Sequence, residues 1–507
     1  MSLIALGVDS GTQSTKIVAV DVDRGVVVGR GQAPHASLVG LPAGFSEQSP
    51  AVWVEALFIA LGETLRNSNL DPRTVIAIGV SGQQHGFVPL DHQGGVIRPA
   101  KLWNDTSTVE ENETIIRALG GREASIEKLG LVPAVGFTAS KILWLKKREP
   151  DHFARLAAVL LPHNYLNYVL SGEMKMEYGD ASGTGLMDIR RRVWQEEAAA
   201  AVDPGLLSKL PVLRPSSEAA GYLRPEIADR FGLGKVLVAS GGGDNMMGAI
   251  GTGNVVPGIC TLSLGTSGTI YAYSPAPLID PQGEIAAFCD STGGWLPLLC
   301  TMNVTNTTEF WKAIVQTDND GRDALAALAP AGAGGALFLP FIDGERVPVL
   351  PESSGVFFGL NRSNFRPAHM TRAVMEGTLL NLGYGFERLR ALGLNPAEIR
   401  ATGGAAQSRF WLQLAADILQ VPVRPLKEPE SAAYGAALQA IWNWRRNRGE
   451  ETPLSAVTDA LVATSDAILE PDPKNRDVYA SLRMKFDSLW RTLKPEFQAS
   501  ASLESKP

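Results

Sequence analysis

Residues 9–16, DSGTQSTK, follow the apolar run of residues 4–8 and determine how the rest of the chain is interpreted. A strand that ends in an acidic residue and turns through Gly-Thr presents backbone N–H groups and hydroxyls that can bind phosphate. The stretch lacks the Lys-Ser or Lys-Thr ending of a Walker A loop. Residues 16–22 and 26–33 are also rich in strand-forming side chains, so the N-terminus predicts an antiparallel meander whose first turn is DSGTQST.

A second Gly-Thr turn, SLGTSGT at residues 263–269, follows the apolar run of residues 259–264 and leads into another predicted strand at residues 269–273. Taken alone, each turn is explained by hairpin geometry, since glycine in a tight turn needs no ligand. Together they predict two hairpins, one in each half of the chain, that contact phosphate oxygens from opposite sides.

Ser263 stands in the second turn where Asp9 stands in the first. A carboxylate beside a polyphosphate needs a cation between them, so we predict that Asp9 is a direct or water-mediated Mg²⁺ ligand. Lys16 either adds positive charge near the phosphates or lies solvated on its strand, and the sequence leaves both roles open.

The composition describes an ordinary globular protein with small-molecule partners. The 507 residues are too many for one core and predict two large domains or more. A net charge of -7 argues against general nucleic-acid binding. We find no apolar run of the ~18 residues that span a bilayer and no signal sequence, so we expect no membrane partner and a cytoplasmic location. Cys260, Cys289 and Cys300 suggest buried thiols rather than a disulfide framework or zinc site.

The glycine-rich stretch at residues 248–258 predicts a division into domains at residues 1–250 and 251–507. Near the C-terminus, apolar side chains three and four residues apart predict one helical face: Tyr479, Leu482, Phe486, Leu489 and Leu493. We expect this face to pack on its own domain, because the repeat is too short to establish a coiled coil. A homodimer remains an open alternative.

Two polar segments follow the predicted strand at residues 74–80, namely SGQQHG at residues 81–86 and LWND at residues 102–105. They combine amides, a histidine, an indole and an acid, which are the groups that bind polyols through hydroxyls and C–H faces. Taken alone, His85 fits a structural histidine better. In GGGDN, residues 241–245, three glycines allow a close approach of the backbone to another group, and one acid follows; such turns are also common without function.

The segment GGAAQS at residues 403–408 lacks the GxGxxG spacing of a Rossmann turn, which argues against a dehydrogenase. Its small residues permit a flat base to lie against the backbone. The run AAYGAA at residues 432–437 can supply a small-residue helix facing that base, although helix packing alone explains it equally well.

These segments, in this order, resemble the FGGY family of carbohydrate kinases, within the superfamily of sugar kinases, actin and heat-shock ATPases. DSGTQSTK resembles the first phosphate segment of the family, residues 262–269 the second, and residues 402–408 the adenosine segment. The resemblance covers nearly the whole chain and includes FSEQSP (45–50), GFTASKILW (136–144), GDASGT (179–184) and LFLPFIDGERVP (337–348). It implies an α/β fold of two ribonuclease H-like domains, as in actin-like ATPases, with a deep interdomain cleft that closes on ATP.

The resemblance also implies an activity and a set of site residues. The expected reaction is phosphorylation of a ketose, D-xylulose, to its 5-phosphate by ATP with Mg²⁺. Asp244 is the implied general base, and Asp9 belongs to the metal surroundings. The implied sugar-binding residues are Gln84, His85, Trp103, Asp105 and Asn245. The implied ATP-binding residues are Gly11, Thr12, Lys16, Gly265, Thr266, Gly403, Gly404 and Gln407.

Three alternatives remain at this stage. The first is a related kinase for another ketose or polyol, of the ribulose, fuculose or L-xylulose type. An actin-like assembly ATPase shares the hairpins but has no use for SGQQHG, LWND and GGGDN together. A sugar sensor without turnover is expected to have lost Asp9 or Asp244, and both acids are present.

Overall fold

The computed structural model describes residues 2–504, with side chains for residues 2–500. The chain forms two compact units that are each discontinuous in sequence. Unit 1 comprises the chain up to Val256, Tyr273–Leu296 and Glu430–Val462. Unit 2 comprises Pro257–Ala272, Pro297–Pro429 and the chain from Ala463 onward. Two segments of the predicted C-terminal domain, Tyr273–Leu296 and Glu430–Val462, therefore belong to unit 1.

The strands are β1 (Ile4–Ser10), β2 (Ser14–Asp21), β3 (Val27–Pro34), β4 (Glu47–Gln48), β5 (Val75–Gly82), β6 (Val88–Leu90), β7 (Ala100–Lys101), β8 (Ala158–Leu160), β9 (Lys175–Glu177), β10 (Met187–Asp188), β11 (Val193–Trp194), β12 (Val212–Arg214), β13 (Gly221–Tyr222), β14 (Leu237–Val238), β15 (Gly242–Gly243), β16 (Ile259–Leu264), β17 (Gly268–Ala272), β18 (Ala286–Cys289), β19 (Trp295–Thr301), β20 (Leu337–Leu339), β21 (Val356–Phe358), β22 (Glu398–Thr402) and β23 (Val423–Pro425).

The α-helices are α1 (Pro50–Asn67), α2 (Val109–Leu119), α3 (Arg122–Leu129), α4 (Thr138–Arg148), α5 (Pro150–Arg155), α6 (Pro162–Ser171), α7 (Tyr178–Ser182), α8 (Glu196–Val202), α9 (Pro225–Phe231), α10 (Asp244–Gly251), α11 (Thr305–Val315), α12 (Asn319–Ala327), α13 (Pro367–Ala391), α14 (Arg409–Leu419), α15 (Ser431–Asn447), α16 (Leu454–Leu461) and α17 (Arg476–Glu504). Short 3₁₀ turns lie at Pro72–Thr74, Leu206–Lys209, Ala333–Gly335, Gly404–Gln407 and Pro473–Asn475. No helix within residues 2–504 is long and apolar enough to cross a membrane.

The main sheet of unit 1 has the strand order β3-β2-β1-β5-β14-β13, with β15 beside β5. The strands β1, β2 and β3 form the antiparallel meander that the sequence predicts, while β5 and β14 run parallel to β1. Helix α1 packs on β2 and β3, and α15 packs on β1 and β5. The parallel strands bring the ends of β1 and β5 to the same edge, so Asp9 lies opposite Ser81.

The main sheet of unit 2 contains the strand order β19-β17-β16-β22-β23. Here β16, β17 and β19 are antiparallel, and β22 and β23 run parallel to β16. This repeats the order and directions of β3-β2-β1-β5-β14 in unit 1. The prediction of two ribonuclease H-like domains is therefore confirmed at the level of sheet topology.

The C-terminal helix α17 packs within unit 2 against α13, α14 and β20. Tyr479 and Phe486 are buried as expected. Leu489 and Leu493 are only partly buried, and Trp490 and Phe497 extend the buried face instead. The helix therefore packs on its own unit, as predicted, but through a face shifted toward its aromatic side chains.

The run AAYGAA lies in α15 and belongs to unit 1. It packs against α10, where a Cβ atom on Gly435 would collide with the carbonyl oxygen of Met247. Helix α15 also packs closely on β1. A Cβ atom added to Gly7 of β1 would overlap the carbonyl oxygen of Ala433. The small residues are thus explained by close packing of a helix against a helix and a strand.

Candidate functional site

The acidic end of β1 places Asp9 among charged and hydroxyl side chains of unit 1. Ser81 donates a hydrogen bond from Oγ to Asp9 Oδ1 over 2.8 Å, and Asp9 Oδ2 accepts none from the described residues. Lys16, opposite Asp9 in β2, donates from Nζ to both carboxylate oxygens of Glu430 at 2.9 Å. Burial raises the pKa of Asp9 to about 6, and the negative charge of Glu430 acts in the same direction.

The turn after Asp9 is held in place by FSEQSP and by LWND, one of the predicted sugar segments. Gln48 of FSEQSP, whose side chain is buried, donates from Nε2 to the carbonyl oxygen of Thr12 over 2.6 Å. Trp103 of LWND donates from Nε1 to Thr12 Oγ1 over 3.3 Å. Gly11 N–H donates to the carbonyl oxygen of Ser14 at 3.1 Å and closes the turn. The predicted first phosphate hairpin is therefore hydrogen-bonded to both FSEQSP and LWND.

Asp244 is the first residue of α10, directly after the short strand β15. Pairing of β15 with Ser81 and Gly82 brings Asp244 to the same sheet edge as Asp9. Asp244 Oδ1 accepts hydrogen bonds from the backbone N–H of Asn245 at 2.8 Å and from Asn245 Nδ2 at 2.9 Å. Asp244 Oδ2 accepts no hydrogen bond from the described residues.

Burial raises the pKa of Asp244 to about 7, and the negative charges of Asp9 and Asp180 raise it further, while the Asn245 hydrogen bonds oppose the shift. A carboxylate with a pKa near neutrality exchanges protons at physiological pH, which suits a general base. The two acids that the sequence singled out thus lie close enough to influence each other's ionisation.

The glycines of GGGDN make room for protein atoms rather than for a substrate. A Cβ atom on Gly241 would lie 2.6 Å from the carbonyl oxygen of Val80, and one on Gly242 would lie 2.7 Å from Met247 Cε. A Cβ atom on Gly243 would lie 2.5 Å from Gln84 Cγ. The backbone does pass close to other groups, as the sequence suggested, and these groups belong to β5, α10 and SGQQHG.

Gln84 packs beneath Asp244 and is only 4% exposed. Its Oε1 accepts a hydrogen bond from Asn245 Nδ2 at 2.8 Å, and its Nε2 donates to Met246 Sδ at 3.2 Å. Both ends of the Gln84 amide are therefore engaged with α10. This arrangement differs from the direct sugar contact that the sequence suggested.

His85 lies in a cluster of aromatic side chains that was not predicted from the sequence. Its Nδ1 lies 2.8 Å from the carbonyl oxygen of Gly183, which can only accept, so Nδ1 carries the proton and Nε2 is an acceptor in the neutral ring. The ring stacks on Phe137 with centroids 4.5 Å apart and lies 5.7 Å from Phe288. Phe137 belongs to GFTASKILW, but no local signal marks Phe288, which lies about 200 residues away in sequence.

Asp105 is buried and fully engaged by protein donors. Its Oδ2 accepts from Ser46 N–H at 2.9 Å and Lys101 Nζ at 3.1 Å, and its Oδ1 accepts from Ser107 N–H at 3.1 Å and Ser107 Oγ at 2.6 Å. Lys101 Nζ also lies 4.0 Å from the ring centroid of Trp144. Protein donors therefore occupy both carboxylate oxygens of Asp105, as expected for a structural role.

A buried cluster of polar side chains near Asp244 was not predicted from the sequence. Glu177 caps α7 by accepting from the N–H groups of Gly179 at 2.5 Å and Asp180 at 2.6 Å. Burial raises the pKa of Glu177 to about 7. His163 Nδ1 lies 2.6 Å from Asp180 Oδ2, and both side chains are fully buried. The motif GDASGT therefore places the negative charge of Asp180 near Asp244.

In unit 2, the second hairpin has the register of the first. Ser263 lies opposite Thr269 of β17 and Thr402 of β22, as Asp9 lies opposite Lys16 of β2 and Ser81 of β5. Gly265 N–H donates to the carbonyl oxygen of Ser267 at 3.1 Å, and Thr266 is exposed at the tip. The hairpin therefore lacks an acid at the position of Asp9, as the sequence suggested.

The predicted adenosine segment lines a cavity of about 260 Å³ in unit 2. Gly403 has a φ of 91°, and a Cβ atom there would lie 2.6 Å from the carbonyl oxygen of Leu264, so only glycine fits. Gly404 has open space around it, and Gln407 is exposed at the rim. The walls are mainly apolar, as a flat base requires: Ala401, Ala406, Leu412, Pro425, Leu426, Pro429, Ala467 and Leu469.

Comparison with known proteins identifies the family. The N-terminal domain model of the FGGY family of carbohydrate kinases matches residues 4–251, and the C-terminal domain model matches residues 260–444. The chain belongs to the FGGY family of carbohydrate kinases. It is an FGGY carbohydrate kinase with the two-domain fold of that family, and ATP is its co-substrate.

Several relatives are similar over most of their length. The xylulose kinase of Haemophilus influenzae is 45% identical over 444 residues, which cover 86% of this chain and 90% of that protein. The xylulose kinase of Streptomyces coelicolor is 39% identical over 440 residues, covering 86% and 87% of the two chains. The solved structure of a xyloylose kinase from Brucella ovis has a TM-score of 0.89 at 31% identity, covering 97% and 99%.

Proposed function

We propose that this kinase transfers the γ-phosphoryl group of ATP to the 5-hydroxyl of D-xylulose, with Asp244 as the general base. The similarity to xylulose kinases at up to 45% identity supports the choice of sugar. The observation that carries the mechanism is Asp244 itself, a carboxylate with one oxygen held by Asn245 and the other without a described donor.

The acceptor hydroxyl is far too weak an acid to ionise before it attacks. Asp244 Oδ2 accepts its proton late in the transition state, while Oδ1 stays bound to the backbone and side chain of Asn245. Phosphoryl transfer needs little covalent help from the protein, so the remaining catalysis comes from positioning and charge stabilisation. Asp244 is therefore the residue whose chemistry the reaction needs most directly.

The acidic surroundings of Asp9 fit a divalent cation. The charge of Glu430 raises the pKa of Asp9, and the charge of Asp9 raises that of Asp244, while Lys16 pairs with Glu430 and opposes the shift at Asp9. No group of three His, Cys, Asp or Glu side chains in the described part of the chain is arranged to hold a metal ion. Asp9, directly or through water, would therefore hold Mg²⁺ together with substrate phosphate oxygens, and Mg²⁺ supplies charge neutralisation when bound.

The remaining proposed contacts divide between sugar and nucleotide. We assign the sugar to His85 Nε2, the indole of Trp103 and the amide of Asn245. Lys16 already pairs with Glu430, so it must exchange partners to reach a phosphate. We assign ATP to two hairpin turns and the cavity segment: Gly11, Thr12, Gly265, Thr266, Gly403, Gly404 and Gln407.

The test is a coupled ADP-release assay with D-xylulose, L-xylulose, D-ribulose and L-fuculose. We expect the highest kcat/KM for D-xylulose, and a higher value for another sugar would reassign the substrate. Asp244→Asn retains much of the local hydrogen bonding but not the basic carboxylate, so turnover should fall at least ~100-fold. Asp23→Asn, at an exposed site in unit 1, is the control. Turnover of folded Asp244→Asn within a few-fold of wild type would refute the assignment of the base.

A further inference from the structure

Gln84 lies two residues after β5 and is linked to the proposed base through one intermediate residue. Asn245 Nδ2 carries two hydrogens. One is donated to Gln84 Oε1 at 2.8 Å, and the other to Asp244 Oδ1 at 2.9 Å. The acceptor on Gln84 therefore fixes the rotation of the Asn245 amide, which in turn fixes the Asp244 carboxylate.

We propose that Gln84 is a positioning residue that acts on Asp244 through Asn245, and that it does not bind the sugar directly. This inference rests on the proposed role of Asp244 as the base. Gln84 is 4% exposed, and its second amide atom, Nε2, donates to Met246 Sδ at 3.2 Å. Both ends of the amide thus contact α10, the helix that begins with Asp244.

The backbone around Asp244 is built to accept this side chain. A Cβ atom on Gly243 would lie 2.5 Å from Gln84 Cγ and 2.9 Å from Gln84 Cδ, so the Gly243 backbone lies directly on the Gln84 side chain. The neighbouring carboxylate then has Oδ1 occupied by two donors from Asn245, which leaves Oδ2 directed away from that pair. Gln84 consequently supports, through the Asn245 side chain, the arrangement that leaves Oδ2 available as the base.

Two substitutions separate positioning from direct sugar binding. Gln84→Met fills a similar volume but lacks the acceptor for Asn245, so kcat should fall about 5- to 10-fold, the effect of one net hydrogen bond. The KM for ATP and the KM for the ketose should change little. Gln84→Glu keeps an acceptor oxygen at the same position and should recover most of the lost kcat.

Asn112→Leu provides the matched control for loss of a buried amide. Asn112 is 5% exposed in unit 1 and donates from Nδ2 to the carbonyl oxygen of Pro133 at 3.1 Å. Thermal melts of all variants test whether the fold is retained, and the control should keep the wild-type kcat. A Gln84→Met enzyme with the same kcat as Asn112→Leu would overturn the proposal.

The other outcomes also decide the question. A rise in the ketose KM with unchanged kcat would show that Gln84 contacts the sugar, which contradicts the proposal. A loss of kcat that Gln84→Glu does not recover would show that packing, not the acceptor, matters. Asp244→Asn is measured in parallel. Full activity of that variant would refute both the assignment of Asp244 as the base and the role of Gln84. An inactive Asp244→Asn together with a fully active Gln84→Met would refute the role of Gln84 alone.

Discussion

Replacing the proposed base should stabilise the protein, and the gain should depend on pH. The pKa of Asp244 rises from an ordinary value of 3.8 to about 7, chiefly because of burial. The folded state therefore binds this proton more tightly than the unfolded state. The corresponding stability is fully present below pH 3.8 and is lost as the pH rises through 7. Asp244→Asn removes the ionisable group, so the variant does not lose this stability as the pH rises.

The size of the effect follows from the same shift. A pKa change of about 3 corresponds to about 4 kcal/mol at a pH above 7. Asp244 is partly exposed, so we halve this value for solvent screening to about 2 kcal/mol. For a unit of about 310 residues, that difference raises the melting temperature by about 3 °C.

The assay is a thermal melt of wild type and Asp244→Asn at several values of pH between 4 and 8. We expect nearly equal melting temperatures at pH 4 and a more stable variant at pH 8. Asp23→Asn, at an exposed site, should show no such pH-dependent gain. A variant that is less stable than wild type at pH 8, or a difference that does not change with pH, would refute the reasoning.

Two further predictions concern the residues proposed to bind Mg²⁺ and ATP. Asp9→Asn should leave the fold intact and raise the Mg²⁺ concentration needed for half-maximal turnover by at least about 10-fold, because a metal-facing carboxylate is lost. Titration of the activity with MgCl₂ measures this midpoint, and an unchanged midpoint would contradict the prediction. Gly403→Ala should raise the KM for ATP more than the KM for the ketose, since a Cβ atom would lie 2.6 Å from the carbonyl oxygen of Leu264 at a φ of 91°. Equal changes in both constants would mean that the substitution acts on the fold as a whole.

The sequence predicted those features that local pattern determines. The meander and the two hairpins follow from apolar runs and glycine-rich turns, and the structure contains each of them. The proximity of Asp9 and Asp244 at one sheet edge was not predicted, because it depends on the pairing of both β1 and β15 with β5.

The partners of the site residues could not be predicted in the same way. The contact of Phe288 with His85, the hydrogen bond from Gln48 to Thr12 and the pairing of Lys16 with Glu430 join residues far apart in sequence. No periodicity or turn composition marks such pairs. For the same reason, the composition of LWND suggested sugar binding for Asp105, whereas its position beside Lys101 gives it a structural role.

The contribution of α15 to unit 1 has a consequence for the order in which the protein can fold during synthesis. Gln439 of α15 accepts from the N–H of Gly241 at 2.8 Å and donates to its carbonyl oxygen at 3.1 Å, while Tyr434 donates to the carbonyl oxygen of Gly25 at 2.8 Å. The segment that leads to Asp244 therefore lacks these partners until α15 leaves the ribosome.

The ribosome adds the 196 residues between the end of α10 at Gly251 and the end of α15 at Asn447 in about 10 to 40 s. Throughout that interval β1 and β5 expose the apolar surface that α15 later covers. Unit 1 therefore reaches its final form only after most of unit 2 has been made, so the nascent chain has a long period in which chaperones can bind it.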